Sequence, residues 1–137
     1  MNIFKLVKQQ LFGAAVIVAI LITTEVYSQD QINEKISVDS LSKVLETNSK
    51  ITLLDIRTPK EIEEGYIRGV KFHDFRSDDF IESIEHLQRE STYILICKAG
   101  IRASQAQKLM KQMSFQHVFV LEGGMDAWEK AGKQVIK

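Results

Sequence analysis

The chain has 137 residues, 18 of them basic and 18 acidic, so its formal net charge is zero at neutral pH. With 45% hydrophobic and 26% charged residues its composition is that of an ordinary globular protein, and the even charge balance argues against a nucleic-acid binder or a polyacidic tail. One cysteine and three histidines leave no internal disulfide and no zinc-type spacing.

Residues 1–28 differ from the rest. Lys5 and Lys8 give a basic start, Leu11 to Ile22 is uncharged and apolar, and Val26-Tyr27-Ser28 offers small or modest side chains where a signal peptidase reads. This is the layout of a secretory signal peptide cleaved after Ser28. The apolar run is shorter than the roughly 20 residues of a membrane span. The expectation is therefore export to the periplasm, with membrane attachment only if the leader is retained. The part after the leader, about 110 residues, is enough for one core. Residues 29–35 read as a polar lead-in and 36–137 as one domain. A lone thiol in an oxidising compartment is a liability unless protected or used, which turns attention to Cys97.

Ile36 and Val38 alternate around Ser37 as a short strand. Asp39 or Ser40 is a cap for a helix carrying Leu41, Val44 and Leu45, closed by Asn48 to Lys50. Ile51 to Ile56 reads as a buried strand. Thr58-Pro59-Lys60-Glu61 spells a capping box with proline at the first helical position, and Gly65 stops that helix. After Gly69 comes a short strand, Val70 to His73. Ser77 or Asp78 caps a helix with Phe80, Ile81, Ile84 and Leu87 inward. Tyr93 to Ile96 is a strand, Ile101 to Met113 a helix, and His117 to Leu121 a strand. Glu122-Gly123-Gly124 is a turn, and Met125 to Ala131, with Trp128 in the core, is a last helix. Strands alternating with helices imply an α/β domain whose mainly parallel sheet is covered by helices on both faces.

Cys97 sits where a strand hands over to a helix, the place where ligands bind on open parallel sheets. Cations and the unpaired N–H groups of a helix start favour the thiolate of a cysteine, which is the nucleophile, and hold small anions. Lys98 and Arg102 supply the charge, and the backbone of Lys98, Ala99, Gly100, Ile101 and Arg102 supplies the cradle. Such a thiol must be reachable by solvent. Asp55 and Arg57 read as a supporting ion pair, and Glu61 as a capping side chain.

Three blocks together resemble the rhodanese-like family. They are Leu54-Asp-Ile-Arg-Thr-Pro-Lys-Glu-Ile-Glu-Glu-Gly-Tyr-Ile-Arg-Gly69, Cys97-Lys-Ala-Gly-Ile-Arg102 and Leu121-Glu-Gly-Gly-Met-Asp-Ala-Trp128. The resemblance covers about residues 36–133. Tyr66 stands where that family usually has histidine, Phe72 where asparagine is common, and Ala99 and Ala103 where serine is frequent. The resemblance implies a sulfurtransferase. Cys97 takes the outer sulfur of a small anionic donor such as thiosulfate, forms a persulfide, and passes the sulfur to a thiol or cyanide. It implies no metal and no organic cofactor. One alternative is a persulfide carrier that depends on a protein thiol partner. Another is a phosphatase or arsenate-type enzyme, which the four residues between Cys97 and Arg102 disfavour, because related phosphatases have five.

Overall fold

The computed structural model describes residues 34–47 and 50–137. The leader, the lead-in up to Asn33 and the expected helix stop at Asn48 lie outside the described residues. Among the described residues the chain forms five strands and five helices: β1 (Lys35–Ile36), α1 (Val38–Glu46), β2 (Ile51–Asp55), α2 (Pro59–Glu63), β3 (Lys71–Phe72), α3 (Phe80–Glu85), β4 (Thr92–Ile96), α4 (Ile101–Gln112), β5 (His117–Leu121) and α5 (Gly124–Lys130). These strands pair in parallel, in the order β1-β5-β4-β2-β3, so β4 is central.

Period-two alternation sorts the strand residues into two cores. Leu54, Tyr93, Leu95, Val118 and Val120 face one side, against Phe80 and Ile84 of α3 and Ala103, Ala106 and Met110 of α4. Leu53, Ile94, Ile96 and Leu121 face the other, against Leu41 of α1 and Met125 and Trp128 of α5. A strand buried on both faces reads as a continuous apolar run, which is why β4 and β5 were legible without a polar face.

Some boundaries differ from the sequence reading. Ser37, not Asp39 or Ser40, caps α1: its side chain accepts from Ser40 N–H at 3.2 Å, so Val38 opens the helix and is not a strand residue. Lys35, assigned to the lead-in, pairs with Val120. Asp79, rather than Ser77 or Asp78, is the residue before α3. It makes no capping bond to the helix, because its carboxylate takes the Ser77 hydroxyl instead. Ile81 is 52% exposed. In a helix of six residues, Phe80 and Ile84 stack on one face and leave Ile81 off it. The capping box at α2 forms as read, with Thr58 and Glu61 bonding reciprocally.

Leu95→Ala removes a fully buried side chain from the central strand. It is expected to cost about 2–5 kcal/mol in a urea unfolding curve. Ile81→Ala should change stability by no more than about 0.5 kcal/mol. Equal effects would contradict this assignment of the core.

Candidate active site

The chain leaves β2 toward the β3 edge of the sheet and leaves β4 toward the β5 edge. The strand order therefore reverses between β2 and β4, which opens a crevice at their carboxyl ends. Asp55, Ile56 and Arg57 form one lip and Cys97 the other, joined by Ile56 N–H donating to Ile96 O at 2.8 Å.

Past Cys97 the chain turns sharply at Gly100, whose φ of +89° favours glycine, and enters α4. Gly100 N–H donates to Cys97 Sγ at 3.1 Å. The loop is pinned from behind by the start of α5: Met125 N–H donates to Cys97 O and Asp126 N–H to Lys98 O, both at 2.9 Å. In a trans peptide the C=O and the next N–H point in opposite directions. Tying those two carbonyls to α5 therefore turns the N–H groups of Lys98 and Ala99 away from it. Together with the first-turn N–H groups of Ile101 and Arg102, they have no acceptor among the described residues. Gly124 makes the approach feasible. Its φ is +57°, and a Cβ there would collide with the carbonyl oxygens of Cys97 and Lys98.

Two ion pairs brace the loop. Asp55, fully buried, accepts from Arg57 Nε at 2.9 Å and Nη2 at 2.7 Å. The same guanidinium donates to Glu61 O at 3.2 Å and Gly65 O at 2.8 Å, so it holds the α2 turn in place. From that turn Glu61 grips Arg102 with both oxygens, at 2.5 and 2.8 Å, while accepting from Thr58 N–H and Oγ1. The bond from Arg102 is the main reason the Glu61 carboxyl falls from 4.5 to about 2, and Glu61 in turn raises Arg102 above its ordinary value.

Cys97, Lys98, Ala99, Gly100, Ile101 and Arg102 thus share one strand–helix junction, and Glu61 reaches it through Arg102. Asp55 and Arg57 brace it through α2. Two features depart from expectation. Arg102 is not a free cation, since it is committed to Glu61; Lys98 is the loop cation with no ion pair among the described residues. Cys97 is only 1% exposed, so the sulfur lies at the floor of the loop and not on open surface. The N–H groups of Met125 and Asp126 escaped the sequence reading because backbone donors carry no residue-type signal. The double glycine at 123–124 was their only trace. Tyr66 and Phe72 pack edge to face, their centroids 5.1 Å apart. Among the described residues no cluster of three or more His, Cys, Asp or Glu could hold a metal.

Comparison with known proteins places this geometry in context. The family model described as a rhodanese-like domain matches residues 37–131. The chain is 33% identical to YtwF of Bacillus subtilis over 96 residues, 70% of this chain and 90% of that protein. It is 29% identical to a sulfurtransferase of Allochromatium vinosum over 113 residues, 77% of this chain and 95% of that one. The crystal structure of a rhodanese-related protein from Thermoplasma volcanium superposes with a TM-score of 0.67 at 25% identity, covering 75% of this chain and 97% of that one.

Two outcomes test the bracing. Gly124→Ala should destabilise the protein by at least about 1 kcal/mol and shift the amide resonances of residues 97–102; a silent spectrum there would contradict the pinning. Glu61 has a depressed pKa, so its stabilisation is complete above pH 4.5 and is lost as pH falls toward about 2. The stability gap between wild type and Glu61→Gln should therefore be flat above that range and shrink below it. A gap independent of pH between 5 and 2 would refute the assignment.

Proposed function

The chain belongs to the rhodanese-like domain family, and from that membership we propose that it is a sulfurtransferase in which Cys97 carries the sulfur as a persulfide. The observation that carries this reading is the junction itself. One sulfur lies at the base of a loop whose N–H groups at Lys98, Ala99, Ile101 and Arg102 are left without acceptors among the described residues. The Allochromatium vinosum relative bears the name sulfurtransferase.

With thiosulfate as donor, Cys97 Sγ attacks the outer sulfur. A new Sγ–S bond forms, the bond between the outer sulfur and the sulfonate sulfur breaks, and sulfite departs with the electron pair. The open amides would stabilise charge on the transferred sulfur and the departing anion. Burial of Cys97 selects the kind of donor. A sulfur at the floor can be reached only by a donor with a single protruding atom, whereas a persulfide extends by about 2 Å toward the rim, where an acceptor can meet it. Lys98, unpaired at the rim, would draw in the donor, while Arg102 would act through the loop it holds in shape.

One observation favours a second reading, in which the acceptor is a protein thiol and the domain is a persulfide carrier. Ile101 is 71% exposed beside exposed Lys98 and Ala99, which offers an apolar contact at the mouth of the site. For localisation, the basic and apolar pattern of residues 1–28 supports export. A secreted form beginning at Gln29 by intact mass would bear this out, and retention of residues 1–28 in the membrane fraction would overturn it.

Treatment with thiosulfate should add one sulfur atom to the intact protein, and cyanide should remove it as thiocyanate. Cys97→Ser should gain no sulfur and form no thiocyanate above the buffer background. No mass gain in wild type, or an equal gain in the variant, would overturn the proposal. Loading without discharge to cyanide or small thiols would select the carrier reading.

A further inference from the structure

Residues 133–136 join the two supports of the Cys97 loop. On one side they are tied to α5, whose start holds the carbonyls of Cys97 and Lys98. Lys133 N–H donates to Trp128 O at 3.2 Å, and the Trp128 indole N–H donates to Gln134 O at 3.0 Å. Val135 packs against the core that contains Met125 and Trp128. On the other side Ile136 pairs with Tyr66, just past the α2 turn. Tyr66 N–H donates to Ile136 O at 2.9 Å, and Ile136 N–H donates to Tyr66 O at 2.8 Å. Two reciprocal bonds make a hydrogen-bonded antiparallel pair, and this bridge stands apart from the sheet.

The bridge bears on the site because the peptide between Gly65 and Tyr66 is held at both ends. Its carbonyl, Gly65 O, accepts from Arg57 Nη2 at 2.8 Å, and its N–H is the one that donates to Ile136 O. In a trans peptide these groups point opposite ways, so the unit is clamped between the Arg57 guanidinium and the backbone of residue 136. The fit is close: a Cβ at Gly65 would lie 3.3 Å from both Ile136 O and the Val135 side chain. From Arg57 the contacts continue to Glu61 O, and the Glu61 carboxylate grips Arg102.

Resting on the sulfur-transfer reading above, we infer that residues 133–136 are a positioning strap for that reaction, closed by the backbone of Ile136. The strap fixes the α2 turn relative to α5. The turn presents Glu61 to Arg102 at one end of the Cys97 loop, and α5 holds the carbonyls of Cys97 and Lys98 at the other. With the strap open the two ends shift independently, and the loop amides no longer converge on the transferred sulfur. Ile136 is thus a positioning residue that acts through Tyr66, Gly65 and Arg57.

The test compares three full-length variants with wild type. Ile136→Pro deletes the N–H given to Tyr66 O, Ile136→Val keeps both backbone bonds, and Trp128→Phe removes the indole donor to Gln134 O while keeping an aromatic ring in the core. Persulfide formation with thiosulfate is followed by intact mass. In Ile136→Pro the maximal rate should fall about fivefold or more while the half-saturating thiosulfate concentration changes by less than about twofold, since the charge of Lys98 is untouched. Trp128→Phe should change in the same direction, and Ile136→Val should match wild type. In the folded Ile136→Pro protein the Arg102 guanidinium resonances and the amide resonances of residues 98–102 should shift. A purely structural role would lower the unfolding midpoint and leave those native resonances in place. A wild-type rate in Ile136→Pro, equal losses in Ile136→Pro and Ile136→Val, or unmoved Arg102 resonances would overturn the inference. Should Ile136→Pro fail to fold, Trp128→Phe decides by the same rate and resonances. Failure of wild type to load would remove the sulfur-transfer reading instead, whereas the Arg102 resonances read the coupling whether or not sulfur is transferred.

Discussion

Two hydrogen bonds from the start of α5, Met125 N–H to Cys97 O and Asp126 N–H to Lys98 O, decide how the Cys97 loop is presented. A planar trans peptide has two polar ends, and fixing one fixes the other. Once the carbonyls of Cys97 and Lys98 are turned toward α5, the next N–H groups along the chain must face the opposite way. The orphan donors of the α4 start join them, and Gly100 N–H is left to meet the sulfur. The arrangement tolerates no side chain at position 124, where backbone from two segments meets. The double glycine is thus a site feature expressed through packing.

The charged groups serve the same end. Asp55 with Arg57 and Glu61 with Arg102 are closed pairs, so neither offers a bare charge to a ligand. Such pairs repay their desolvation poorly in stability. Their value here is position: Arg57 fixes the α2 turn by its carbonyls, that turn aims Glu61, and Glu61 aims Arg102 at the first turn of α4. The chain of contacts runs from the end of β2 to the helix after β4, across the crevice that the parallel sheet opens. The surface presented to a ligand is then mostly fixed backbone dipole, with Lys98 at the rim.

Much of this was legible in the sequence because it is written in periodicity and in turn chemistry. The apolar runs of β2, β4 and β5 and the Thr58–Glu61 box each express a local rule, and each formed within one residue of its reading. Errors arose where tertiary contacts chose between local options. Ser37 took the cap from Asp39 and Ser40, the carboxylate of Asp79 went to Ser77, and Ile81 was left off the single apolar face of six-residue α3. The partner of Arg102 lies 41 residues away in sequence, beyond the reach of any local pattern. Glu61 was identified as a cap and is one, but its second role appears only when β2 and β4 lie side by side.

A crystal structure of the donor-treated protein tests the central claim most directly. The expected result is a second sulfur bonded to Cys97 Sγ at about 2 Å, lying within hydrogen-bond reach of the N–H groups of Ala99, Ile101 and Arg102. An unmodified Sγ in a protein exposed to excess donor, or an added sulfur turned away from those amides, would contradict the account.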